Sequence, residues 1–272
     1  MKYHSLIALM LMLLLAACGG EKRTLVGYWD DFNAEAVYDN VDKAEEEFKE
    51  WSRLLLKVDT ATQQSAIEDF VAKVCGDEVC YYIYTEWALA HLYGLWSPLR
   101  NEYAFEHLLR TLIDNVEHAK SNHREYARLL DILTHNRVGD EAEDFGMMSP
   151  EGEESMLSDL RGERVLFLLV DITCPSCVDI MERVEAEREI MALAERAELT
   201  LVAVAVGQVP ENIGEFVARH EGSLWNIRCA SRSDAENAYY DTTASPALYL
   251  IDAEGRIEVG MSRYPEQIAK GL

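Results

Sequence analysis

Two cysteines three residues apart, in Asp171-Ile172-Thr173-Cys174-Pro175-Ser176-Cys177, carry the most explicit chemistry in this sequence. They follow Val165-Leu166-Phe167-Leu168-Leu169-Val170, an uninterrupted apolar run of the kind that forms a strand buried on both faces. A stretch rich in Glu and Arg follows, read as a helix from about Pro175 to Glu198. The pair therefore falls where a strand ends and a helix begins. There the free N–H groups and positive end of the helix stabilise a thiolate, lowering the pKa of Cys174 below the free value near about 8.5. Three-residue spacing across a first helical turn brings the second sulfur within bonding range of the first. Pro175 fits a first turn, where its missing N–H is not needed. Cys174 is accordingly the expected nucleophile and Cys177 the resolving thiol. Asp171, at the strand end, is either a proton acceptor for the dithiol or a solvated loop or helix-capping acid.

The elements that must position this pair come from two compositions. Apolar residues at Val41, Ala44, Phe48, Trp51, Leu55 and Val58 recur at helical spacing. So do Ile67, Phe70, Val71 and Val74, then Phe105, Leu108, Leu109, Leu112 and Val116, then Tyr126, Leu129, Leu130 and Leu133. Residues 25–138 read as an all-α domain, with the aromatic concentration from Tyr81 to Trp96 as core. From Gly139 the pattern changes to strand, helix, strand, with a second buried run from Leu199 to Val206. Short helices follow around Asn212–His220 and Asp234–Tyr239, with a short strand at Trp225–Ile227. Closing strands at Ala247–Ile251 and Arg256–Met261 flank the turn Asp252-Ala253-Glu254-Gly255. The expected fold class is a two-domain α+β chain, an all-α domain followed by an α/β sandwich with a mixed sheet over 139–272.

The first residues read as an address. Lys2 and the apolar run Leu6 to Leu15 suit a secretory signal, since a run of ten is far short of the roughly 20 residues needed to span a bilayer. Leu15-Ala16-Ala17-Cys18 resembles the bacterial lipobox, which implies a signal over 1–17, lipidation of Cys18 and a short linker over 18–24. The expected location is the bacterial cell envelope, periplasm-facing or outer membrane, anchored to the membrane by lipid. With 25 Lys plus Arg against 49 Asp plus Glu, a net charge of −24 excludes nucleic acid as a partner class. In an exported chain Cys75 and Cys80, bracketing Gly76-Asp77-Glu78-Val79, are expected to form a structural disulfide, the alternative being a second redox couple that relays electrons to Cys174 and Cys177. Cys229 is left over as a small buried residue, and no residue pattern asks for a metal.

Several stretches together resemble a family. Gly139-Asp140-Glu141-Ala142-Glu143-Asp144-Phe145 through Leu157-Ser158-Asp159-Leu160 resembles the opening hairpin of thioredoxin-like envelope proteins, which include peroxiredoxins and cytochrome-maturation reductases. Leu248-Tyr249-Leu250-Ile251-Asp252-Ala253-Glu254-Gly255-Arg256-Ile257 resembles their closing strands. The resemblance implies that Ser245-Pro246, opening the strand at Ala247, is the cis-proline loop facing the dithiol, a substrate-docking edge. Tyr28-Trp29-Asp30-Asp31-Phe32 and Ser97-Pro98-Leu99-Arg100-Asn101-Glu102 resemble a helical domain that precedes thioredoxin-like domains in bacterial lipoproteins. The chain departs from these relatives too. Phe167 and Asp171 stand where peroxiredoxins carry Pro and Thr, so peroxidase activity is not expected. Leu168 replaces the buried acid of thioredoxin, and Ile180 stands where some cytochrome-maturation reductases carry Glu. The expectation is a thiol–disulfide oxidoreductase, in the reductase direction, acting on client proteins that carry disulfides or thiols. It would use no cofactor beyond the dithiol and be recharged by a membrane or envelope electron donor. The competing expectation is a lipid-anchored binding or scaffold protein with a redox-inactive thioredoxin-like domain.

Overall fold

The computed structural model describes residues 25–206, 213–231 and 239–272. Cys18, the signal over 1–17, the linker over 18–24 and most of the helix expected at Asp234–Tyr239 lie outside the described residues. No helix among those described is long and apolar enough to cross a membrane.

The chain divides into two compact units, residues 25–93 with 97–120 and residues 94–96 with 121–272. The first unit holds α1 (Ala34–Asp39), α2 (Val41–Leu55), α3 (Thr60–Val74), α4 (Glu78–Ala88) and α5 (Glu102–Asn115). Side-chain oxygens start all five of these helices. Asn33, Asn40, Asp59, Asp77 and Asn101 each accept a backbone N–H of the first turn they precede. The apolar stripes close on an aromatic core, with Trp51 stacked on Phe70 at 4.9 Å and Trp29 edge-on to Tyr84 at 5.6 Å. Tyr81, Tyr84 and Tyr93 are buried, so the aromatic concentration in this stretch is largely core; Tyr82 and Trp96 are exposed.

The second unit contains α6 (His123–Thr134) and a seven-stranded mixed sheet in the order β2-β1-β5-β4-β3-β6-β7. Its strands are β1 (Gly146–Met148), β2 (Glu154–Met156), β3 (Val165–Val170), β4 (Thr200–Ala205), β5 (Trp225–Ala230), β6 (Ala247–Ile251) and β7 (Ile257–Ser262). The central strands β3, β4 and β5 are parallel, while β6 runs antiparallel to β3, and β7 to β6. Along β3 the side chains alternate between two cores. Leu166, Leu168 and Val170 face one, and Val165, Phe167 and Leu169 face the other. The first core also takes apolar residues of α7 (Pro175–Ala186), α8 (Arg188–Glu195), α9 (Ile213–Arg219) and α10 (Pro265–Gly271).

Two sequence expectations are corrected here. The single helix expected from Pro175 to Glu198 is two helices, because Glu187 leaves the helical region (φ −79°, ψ 105°) and turns Ile190 fully into the core. The composition change at Gly139 also does not coincide with the division into units, since α6 belongs to the second. Asn136, just beyond α6, donates from Nδ2 to Tyr239 O at 3.0 Å and accepts Glu143 N at 2.8 Å, and the His135 ring lies 4.1 Å from that of Tyr239.

Candidate functional site

Sheet register assembles the site. Antiparallel pairing of Leu169 with Ala247 brings the end of β3 against the start of β6, so Asp171 and Ser245 meet just beyond the last paired residues. The Ser245 hydroxyl oxygen accepts the Asp171 N–H at 2.6 Å. The Ser245–Pro246 peptide bond is cis, and Pro246 is buried at the head of β6. From the other side, α7 starts at Pro175 with Cys174 as its N-cap residue. The Cys174 carbonyl accepts the N–H groups of Cys177 (2.9 Å) and Val178 (3.2 Å), which sets the first turn.

Cys174 and Cys177 are joined as a disulfide with their Cα atoms 5.2 Å apart, within the usual range for such a bond. The two sulfurs are not equivalent. Cys174 is half-buried and reachable, whereas Cys177 is 7% exposed and belongs to the core beneath the sheet. Cys177 Sγ lies 3.6 Å from the Ser245 carbonyl oxygen, within reach of a thiol hydrogen bond once the pair is reduced. Of the two sulfurs, that of Cys174 is the more accessible.

Asp171 sits beside this pair and uses its carboxylate locally, Oδ1 accepting Thr173 N at 2.9 Å and Thr173 Oγ1 at 2.7 Å. These contacts close a short turn over residues 171–173, just ahead of α7. Leu168, six residues before Cys174, is fully buried, and Ile180 is buried on α7. Among the described residues no group of His, Cys, Asp or Glu is arranged to hold a metal ion.

The expected Cys75–Cys80 disulfide is a correction: both thiols are free and buried. The tight turn between α3 and α4 is held instead by Asp77. Its Oδ1 accepts Cys80 N at 2.9 Å and the Tyr38 hydroxyl at 2.6 Å. Burial pushes the Cys75 thiol up to about 12. Burial, then the neighbouring Asp77 carboxylate, push that of Cys80 to about 11. Both are thus protonated and inert at neutral pH. Cys229, on β5, is buried and its pKa is likewise raised by burial.

Sequence reasoning passed over Asp241, a carboxylate only 2% exposed in the turn that leads to Ser245, and Arg263, a guanidinium 1% exposed beyond β7. The pattern Asp-x-Thr ahead of Ser-Pro is a turn signal that pointed to the first. No local signal marks the second.

The solved structure of a thioredoxin-like protein from Bacteroides caccae matches this one with a TM-score of 0.74, covering 90% of this chain and 89% of that one at 21% identity. The chain has a thioredoxin-like fold. Its thioredoxin-like unit carries the dithiol at the β3–α7 junction. In sequence, the chain is 27% identical over 151 residues to the thiol-disulfide oxidoreductase ResA of Geobacillus thermodenitrificans, covering 56% of this chain and 84% of that protein. The C-terminal domain of an uncharacterized protein from Bacteroides fragilis also matches over 50% of this chain and 97% of that one, with a TM-score of 0.44 and 20% identity. No protein-family model matches the chain.

Proposed function

We propose that the chain is an envelope thiol–disulfide oxidoreductase working in the reducing direction on client proteins, held at the membrane by a lipid on Cys18. The observation that carries this reading is the asymmetry of the pair. A reachable Cys174 caps a helix, and a buried Cys177 lies 3.6 Å from the Ser245 carbonyl. The similarity to a named thiol-disulfide oxidoreductase supports the same chemistry.

In the reduced protein the Cys174 thiolate attacks one sulfur of a client disulfide, forming a mixed disulfide and expelling the other client sulfur as a thiolate that takes up a proton. Cys177 then loses its proton and attacks Cys174 Sγ. The mixed disulfide breaks, the second client sulfur leaves as a thiol, and the Cys174–Cys177 bond forms. Two electrons and two protons have passed to the client. A thiol donor in the envelope restores the dithiol by the reverse exchange.

Ser245 and Pro246 form the edge on which an extended client segment pairs its backbone, beside the sulfur it is to exchange. Asp171 is the acid available to take the Cys177 proton, and Pro175 shapes the exposed first turn beside Cys174. Reduction of insulin by the purified chain tests the reading. Turnover by the wild type and loss of about a hundredfold or more in Cys174→Ser are expected, because serine cannot form the mixed disulfide. Equal rates for the two proteins would favour a binding protein with a structural disulfide.

A further inference from the structure

The segment before the cis-proline is organised on a single buried carboxylate. Asp241 is 2% exposed, and its Oδ1 accepts the Thr243 hydroxyl at 2.6 Å, Thr243 N at 3.1 Å and Ala244 N at 3.2 Å. From behind, Arg128 of α6 brings Nη1 to 3.9 Å from the same oxygen while also pairing with Glu125 at 2.7 Å. The stretch entering this turn is fastened as well. Tyr240 donates its hydroxyl to Glu143 O at 2.6 Å, and Tyr239 O accepts Asn136 Nδ2. Three donations from residues 243 and 244 converge on one atom, and the next residue is Ser245. Ser245 touches the site twice, through its carbonyl beside Cys177 Sγ and its hydroxyl on Asp171 N.

We propose that Asp241 is the positioning residue of the client-docking loop: its carboxylate, backed by Arg128, fixes residues 243–246 so that the Ser245 backbone faces the dithiol and the incoming client strand together. The proposal rests on the oxidoreductase reading above. Charge-assisted hydrogen bonds to a buried carboxylate are strong and directional, and a loop so held loses little further freedom when a client docks. A small displacement of Ser245 would misalign the client sulfur with Cys174, a kind of error that costs about tenfold to a hundredfold in rate. A small disulfide that has no backbone to pair is spared that penalty. The ratio of the two rates therefore reports the loop rather than the dithiol.

The full-length chain is purified in detergent, reduced and freed of reductant. Second-order rate constants are then measured with oxidised insulin and with dipyridyl disulfide, in protein shown to be folded by circular dichroism. In Asp241→Ala the insulin-to-dipyridyl ratio is expected to fall about tenfold. Thr243→Val, at an exposed position that does not threaten folding, removes the hydroxyl donation and is expected to lower the ratio about threefold. Asp241→Asn keeps an oxygen at the accepting position but not its charge, and its ratio is expected to lie about threefold below wild type, between wild type and Asp241→Ala. An unchanged ratio in folded Asp241→Ala or in Thr243→Val overturns the proposal, as does an Asp241→Asn ratio no higher than that of Asp241→Ala. A wild type that exchanges with neither disulfide defeats the oxidoreductase reading itself, whereas exchange with both and an insensitive ratio defeats only the role of Asp241.

Discussion

Cys174 and Asp171 stand three residues apart, and substitution can separate their roles. If Asp171 accepts the Cys177 proton, Asp171→Asn slows the resolving step while leaving the first attack intact. A mixed disulfide between Cys174 and insulin then accumulates and is seen by mass. If the acid only caps the loop, Asn serves as well, because its oxygen accepts the same two donations from Thr173, and no adduct builds up. Cys75 and Cys80 permit an equally direct check. With both thiols buried and free, alkylation of the native chain at neutral pH leaves them untouched, and alkylation after denaturation without reductant labels both. A pair that resists labelling in denaturant would be a disulfide. Their titration also has a sign. Folding raises the Cys75 pKa from 9.0 to about 12, so above about pH 9 the unfolded chain ionises while the folded one does not. The stabilisation is whole below about pH 9 and is lost as pH rises toward about 12, by up to about 1.4 kcal/mol per pH unit for one group. Thermal melting of the wild type from pH 8 to 11 should show that decline, with a shallower one in Cys75→Ala.

At the scale of elements, legibility followed the range of the interaction. The dithiol could be read because strand run, cysteine spacing and Pro175 lie within a dozen consecutive residues, and the chemistry at a helix N-terminus is local. Ser245-Pro246 could be read because it opens an apolar run. The break at Glu187 could not, because the helical pattern continues through it and only packing of Ile190 against the sheet decides the turn. The Cys75–Cys80 expectation failed for a related reason. Spacing and compartment suggested a staple, but Asp77 already satisfies the turn through its N-cap bond and Tyr38. Arg263 illustrates what the sequence hides altogether. It is 1% exposed, Nε and Nη2 have no hydrogen-bond partner among the described residues, and burial pulls its pKa down to about 10. The guanidinium packs on the Trp96 ring, but a buried charge with two nitrogens left without hydrogen bonds is a liability that an apolar side chain of similar length removes, so Arg263→Met should leave the melting temperature unchanged or raise it. A fall of several degrees on calorimetry would show that the contact with the Trp96 ring outweighs the cost of burying the charge. In the helical unit, by contrast, Trp51 is fully buried against Phe48 and Phe70, and Trp51→Ala should destabilise that unit by about 3–5 kcal/mol in urea denaturation.

For the whole molecule, the chain joins a helical unit with an aromatic core to a thioredoxin-like unit whose sheet register places a helix-capping cysteine beside a cis-proline loop. A net charge of −24 repels phosphate backbones. The central claim, that Cys174–Cys177 is a working redox couple and not a fixed crosslink, is tested most directly by its reduction potential. The full-length chain is equilibrated in thiol buffers of defined potential, quenched by alkylation and weighed. A reversible two-electron couple between about −120 and about −300 mV is expected, toward the negative end for a reductase. A pair that stays oxidised well below about −300 mV would be structural, and the oxidoreductase account would be contradicted.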